Sequence, residues 1–137
     1  MKKMDNKGFS LVELIIVIAI MAVLIGVLAP QFIKYVERSR ESTDLQNIEE
    51  VKTAVESYVA DNGEEVSTNI TVTGEPGSAI TVANASVSEY GVTGSEKMKS
   101  TKWSGDIVWT YDVSAYTWSL SSNVSGDAFY ADGSQVK

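Results

Sequence analysis

Gly8-Phe9-Ser10-Leu11-Val12-Glu13-Leu14 opens a run that is apolar from Phe9 to Ala29 except for Ser10 and Glu13. These 21 residues match the roughly 20 that a helix needs to cross the hydrocarbon core of a bilayer. The residues before the run are short, polar and mostly basic, with Lys2, Lys3 and Lys7. A cleavable secretory signal has a shorter apolar region and a small-residue cleavage site after it. Here the run is of spanning length, and Ala29-Pro30-Gln31 is a poor site of that kind. A plain anchor accounts for the length but not for Glu13. A carboxylate near the centre of a membrane helix costs on the order of 2.5 to 3.5 kcal/mol on insertion scales.

Working outward, the helical pattern continues beyond Pro30. Phe32, Ile33 and Val36 extend an apolar face, and Glu37 to Asp44 is a polar stretch without a large apolar residue. Leu45, Ile48, Val51, Val55, Tyr58 and Val59 then recur at spacings of three and four, the stripe of a helix buried on one side. Asp61-Asn62-Gly63 ends it, with Gly63 as the C-terminal cap. The spacing thus predicts one long helix over 9–62.

After Gly63 the chemistry shifts to Thr, Ser, Val, Gly and aromatics, which favour strands and turns. Ile70–Thr73 and Ile80–Val82 alternate around the turn signal Gly74-Glu75-Pro76-Gly77. Ile107–Tyr111 and Tyr116–Leu120 alternate around Asp112-Val113-Ser114-Ala115 and read as a hairpin. Residues 85–104 carry Lys97, Lys99 and Lys102 and read as a loop or short helix. The expected class is α+β: a long N-terminal helix, membrane-spanning in its first half, packed on a small antiparallel sheet. The expected parts are 1–8, 9–62 (9–29 in the membrane) and a β-rich head over 63–137.

Composition excludes several function classes. The chain has 11 basic and 18 acidic residues, net −7, and no basic face of the kind nucleic acid requires. It has no cysteine and no histidine, which removes disulfides, thiolate metal sites and the commonest general base. No phosphate loop, nucleophile elbow or metal triad is present, so the chain reads as a non-enzyme.

The oddity of Glu13 has a physical resolution. A cut after Gly8 makes Phe9 a new N-terminus with a cationic amine, four residues from Glu13 on one helix face and about 6 Å away along the axis. In a bundle of parallel helices the amine can belong to a neighbour, and such pairing in an apolar core sets axial register.

Lys7-Gly8-Phe9-Ser10-Leu11-Val12-Glu13-Leu14 closely resembles the cleavage and methylation motif of type IV prepilins. The resemblance implies cleavage by a prepilin peptidase between Gly8 and Phe9, N-methylation of Phe9, and a register role in filament assembly for Glu13. It implies a structural subunit, a major pilin that homopolymerises into a type IV pilus serving adhesion or twitching. The alternatives are a pseudopilin of a secretion or DNA-uptake machine and, in another class, a membrane-tethered binding domain. The implied partners are further copies of the chain, the peptidase, a platform membrane protein and an assembly ATPase. The positive-inside count ties, with Lys2, Lys3 and Lys7 against Lys34, Arg38 and Arg40. The resemblance places the leader in the cytoplasm and the C-terminal domain outside, first as a single-pass membrane precursor and then at the cell surface. Many pilins of Gram-negative bacteria close the C-terminal region with a disulfide, which this chain cannot do; that departure is compatible with a Gram-positive source or a pseudopilin.

Four further features complete the reading. Gly26 and Pro30 form a weak helical segment, since Gly costs about 1 and Pro about 3 kcal/mol relative to Ala in a helix interior. The family resemblance implies that this segment loses helicity in a filament. Trp103, Trp109, Tyr111, Tyr116 and Trp118 are read as core beneath the packed helix rather than as a carbohydrate surface. Asp127 and Asp132, beside Gly126 and Gly133, are weak calcium candidates, a solvated acidic turn being the commoner meaning. The triplets at Asn69, Asn84 and Asn123 fit a glycosylation pattern that arises easily in a Ser/Thr-rich chain and carries no claim.

Overall fold

The computed structural model describes residues 8–94, 96–100 and 102–122. Residues 1–7 of the expected leader, the calcium candidates Asp127 and Asp132, and the triplet at Asn123 lie outside the described residues. The chain divides into two compact units, Met1–Tyr35 and Val36–Lys137.

Helix α1 covers Leu11–Asn62 with Pro30 inside it. It is long and apolar enough to cross a membrane. Within the first unit its apolar side chains, from Leu11 to Tyr35, are exposed. Pro30 has no N–H, so the carbonyl of Gly26, four residues earlier, lacks its helical donor. The two residues singled out as a weak segment are therefore the two ends of one missing hydrogen bond.

In the second unit α1 packs on an antiparallel sheet of four strands. These are β1 (Ile70–Gly74), β2 (Thr81–Ala83), β3 (Ile107–Asp112) and β4 (Thr117–Ser122), in the order β2-β1-β3-β4. Alternation builds the packed face: Ile70, Val72 and Gly74 of β1 are buried, with Thr71 and Thr73 between them half exposed. Ile48, Val51, Ala54, Val55 and Val59 of α1 join Ile70, Val72, Ile80, Val87, Met98, Trp103, Ile107 and Tyr111 in one core. The class read from the sequence is the class observed.

The stretch 37–44 departs from expectation. It is not a solvated interruption of the stripe, because Glu37, Glu41 and Asp44 are buried and continue the face of Ile48 and Val51.

The aromatic core expectation holds for Trp103 and Tyr111, which are buried, while Trp109 and Trp118 are half buried. Lys52 Nζ sits 4.2 Å from the Trp109 ring centroid and 5.2 Å from that of Trp118. Trp118 Nε1 donates to Glu56 Oε1 at 2.7 Å.

Tyr116 is a correction. It is 70% exposed, with φ +54° in the turn between β3 and β4. Asp112 Oδ1 accepts from Ser114 N, Ser114 Oγ and Ala115 N. This cap closes a turn over 113–116, one residue later than the alternation implied, and Tyr116 falls at its end instead of in β4.

Gly74 is required by packing. A Cβ there would lie 3.0 Å from Met98 Sδ and 3.4 Å from Ile48 Cδ1. Gly74→Val is therefore expected to destabilise the head by about 1 to 3 kcal/mol through overpacking. Chemical denaturation followed by tryptophan fluorescence measures this, and an unchanged midpoint would contradict it.

Candidate functional site

Two polar constellations interrupt otherwise apolar surroundings. The first opens α1. Ser10 precedes the first helical residue, and its carbonyl accepts the first helical bond from Leu14 N at 3.2 Å. Its hydroxyl oxygen accepts from Glu13 N at 3.2 Å, and Ser10 N donates to Glu13 Oε2 at 2.9 Å. This reciprocal pair is a capping box, which satisfies two of the amide donors that every helix start leaves over. The partial positive charge of the helix N-terminus also favours a carboxylate there. Glu13, expected as an isolated carboxylate awaiting an amine, is therefore already hydrogen-bonded within its own first turn. The Ser-x-x-Glu spacing was the available sign in the sequence, and sequence reasoning passed over Ser10.

Phe9 is 92% exposed and directly precedes this cap. A Cβ on Gly8 would meet nothing within 4 Å, so no packing among the described residues requires glycine there. The geometry thus brings together Gly8, Phe9, Ser10 and Glu13 at the start of one helix. Gly26 and Pro30 lie further along that helix.

The second constellation lies in the head and was unforeseen. Asp44, fully buried, accepts three N–H donors from a strap over 97–103: Lys99 N at 2.6 Å, Ser100 N at 2.8 Å and Trp103 Nε1 at 3.0 Å. Glu37 Oε2 accepts from Ser100 Oγ at 3.2 Å, and Asn47 Nδ2 donates to Lys97 O at 3.1 Å. The other edge of the strap bonds the chain near β2, through Met98 N to Ser78 O, Gly77 N to Met98 O and Ile80 N to Glu96 O. The later part of the stretch read as a loop or short helix is thus a strap fastened on both sides, and its earlier part holds a 3-10 turn at Ser88–Tyr90. Among the described residues no group of three or more acidic side chains is arranged to hold a metal ion.

Comparison with known proteins bears on the first constellation. Residues 3–29 match the family described as the prokaryotic N-terminal methylation motif. The chain is 39% identical over 59 residues to the type IV major fimbrial protein FimA of Dichelobacter nodosus, covering 43% of this chain and 38% of that one. It is 39% identical over 56 residues to the type IV major pilin protein PilA of Myxococcus xanthus, covering 41% and 26%. It is also 35% identical over 77 residues to the prepilin peptidase-dependent protein A of Clostridium perfringens, covering 56% and 55%. The chain thus spans between about a quarter and just over half the length of these curated relatives. No solved structure matches the chain at comparable significance.

Proposed function

We propose that this chain is a type IV pilin, the precursor of a structural subunit that polymerises into an extracellular filament. The observation that carries the reading is the carboxylate of Glu13, held at the start of an exposed apolar helix directly after the Gly8–Phe9 junction. Three of the relatives' names support it: major fimbrial protein, major pilin, and prepilin peptidase-dependent protein.

The proposed sequence of events uses this chain's own groups. A prepilin peptidase cuts between Gly8 and Phe9, and Phe9 is N-methylated. Loss of residues 1–8 removes Lys2, Lys3, Lys7 and Asp5 and moves the side-chain balance from −7 to −9. The subunit then waits in the cytoplasmic membrane with 9–29 in lipid and its β-rich head outside. On assembly the helix moves from lipid into a bundle of like helices at the cell surface. Both surroundings are apolar, so the transfer changes hydrophobic energy little. Glu13 then pairs with the Phe9 amine of a neighbour and fixes register. A platform membrane protein and a cytoplasmic ATPase would drive this step. The missing Gly26–Pro30 hydrogen bond supports local loss of helicity when the bundle is stretched.

Mass spectrometry of the mature protein tests the core of the reading. A methylated Phe9 at the N-terminus is the expected result, and any other N-terminus in cells with an active prepilin peptidase overturns it. Abundance in sheared surface fractions is expected for a pilus rather than a short pseudopilus.

Ser10→Ala removes the hydroxyl half of the cap at a cost of about 0.5 to 2 kcal/mol to the helix start. It should be processed normally but yield several-fold fewer filaments, whereas Ser10→Thr should assemble as wild type. Equal yields for the alanine and threonine variants would show that the cap plays no part.

A further inference from the structure

One motif of the sequence is taken up by neither constellation. Asn62 is followed by Gly63 at the point where α1 ends. The chain has six asparagines, and the residues after them are Lys7, Ile48, Gly63, Ile70, Ala85 and Val124. Only Asn62 therefore stands before a backbone N–H that no side chain shields. Gly63 is exposed, with φ +42°, and a Cβ there would meet nothing within 4 Å. Glycine enters this left-handed region without steric cost, and here it leaves the helix for a 3-10 turn over Gly63–Glu65.

The Asn62 side chain is clamped. Its Nδ2 donates to Tyr58 O at 2.8 Å and to Tyr90 Oη at 3.4 Å. The Tyr90 ring stands edge-on to that of Tyr58, with centroids 5.9 Å apart. Asn62 has ψ −12°, which turns Gly63 N away from its side chain. Attack by that nitrogen needs an extended ψ, so it requires the last turn of α1 to open. Helix ends fray readily, and their opening free energies lie at the low end of those in a fold.

We propose that Asn62 is a site of spontaneous conversion to aspartate and isoaspartate, and that the Tyr90 hydroxyl sets its rate. Gly63 N bonds to Asn62 Cγ, the Cγ–Nδ2 bond breaks, and ammonia leaves, carrying the amide proton of Gly63. The result is a cyclic succinimide. Water opens it at either carbonyl, so one product has the normal backbone and the other runs through the side chain. Water is the only co-reactant. The new carboxylate joins Asp61, Glu64 and Glu65 at the negative end of the α1 dipole, in a last turn without a basic residue. It also offers no N–H to Tyr58 O. Conversion thus adds one negative charge to the head and loosens the turn that brings Val59 into the core.

Peptide mass spectrometry of the full chain, kept for weeks in detergent micelles in warm, mildly alkaline buffer, tests this. Asn62 should convert while Asn47, Asn69 and Asn84 stay intact. Tyr90→Phe keeps the ring and removes only the hydroxyl. It should speed conversion roughly two- to tenfold, the weight of one neutral hydrogen bond in an opening equilibrium. In denaturant, wild type and Tyr90→Phe should convert at one rate, faster than either folded chain. Gly63→Ala should keep Asn62 unconverted over the same period, with a thermal melt showing that the head is folded. An intact Asn62 in the wild type overturns the proposal, as does conversion at Asn47, Asn69 or Asn84 as fast as at Asn62. Equal rates for folded wild type and Tyr90→Phe, or unequal rates in denaturant, overturn the role of the hydroxyl. None of these readouts depends on filament formation, which the mature N-terminus tests separately.

Discussion

Glu13→Ala subunits are expected to accumulate in the membrane, inserted and processed, while filament yield falls by at least tenfold. Insertion should not suffer, because the substitution removes a carboxylate whose cost, about 2.5 to 3.5 kcal/mol at a helix centre, is smaller in the first turn where Glu13 lies. A defect therefore cannot be ascribed to poor entry into lipid. Cleavage should persist, since Gly8 and Phe9 are unchanged. What disappears is the anion proposed to pair with a neighbour's Phe9 amine. The capping box complicates the interpretation, because alanine also removes the acceptor for Ser10 N. Glu13→Gln separates the two effects. Glutamine at this position can still complete the box, but it carries no charge. If register depends on charge pairing, the glutamine variant should fail as completely as alanine. If the cap alone matters, it should assemble. Normal fibres from Glu13→Ala as sole subunit would refute the register role.

Asp44→Ala should lower head stability by about 3 to 5 kcal/mol, because it removes three hydrogen bonds to one carboxylate and each donor left unsatisfied costs about 1 to 3 kcal/mol. The loss is large because one carboxylate serves three donors, and alanine leaves Ser100 N and Trp103 Nε1 buried without it and Lys99 N part-buried. A domain is stable by only about 5 to 15 kcal/mol, so the variant should sit near its threshold. For a head of this size each kcal/mol shifts the melting temperature by about 4 to 8 °C. A fall of more than 10 °C in a thermal melt of the full chain is expected. Asp44→Asn should be intermediate, as its amide keeps one acceptor but turns a donor toward an N–H. A shift below about 2 °C for alanine would mean that the strap is held by its other bonds alone.

How much of this was legible depended on where each partner lay. The spacing of Ile48, Val51 and Val55 and the alternation of Ile70 and Val72 carry their own period, so helix, strands and core followed from the chain directly. The motif at Gly8, Phe9 and Glu13 was equally local. Glu37, Glu41 and Asp44 were not legible, because a carboxylate at a stripe position ordinarily means solvent. The donors that bury Asp44 are mainly backbone N–H groups of Lys99 and Ser100, more than fifty residues away, and backbone donors leave no mark in a sequence. Tyr116 was misplaced for a related reason. Alternation assigns faces only once the position of the turn is known, and the Asp112 cap shifts that turn one residue along.

The separation between Asp44 and its strap also orders events in time. Helix formation is local and takes on the order of a microsecond, whereas closing a loop of this length carries an entropic cost and comes later. Until the strap arrives, three carboxylates stand in water on the stretch of helix that follows the apolar run. In that interval Asp44 lacks its three strap donors, while Glu37 already has Arg40 three residues along the helix, so burying the Asp44 carboxylate before the strap closes would cost its desolvation without compensation. The acid that fastens the finished head thus waits, hydrated, on a helix already formed.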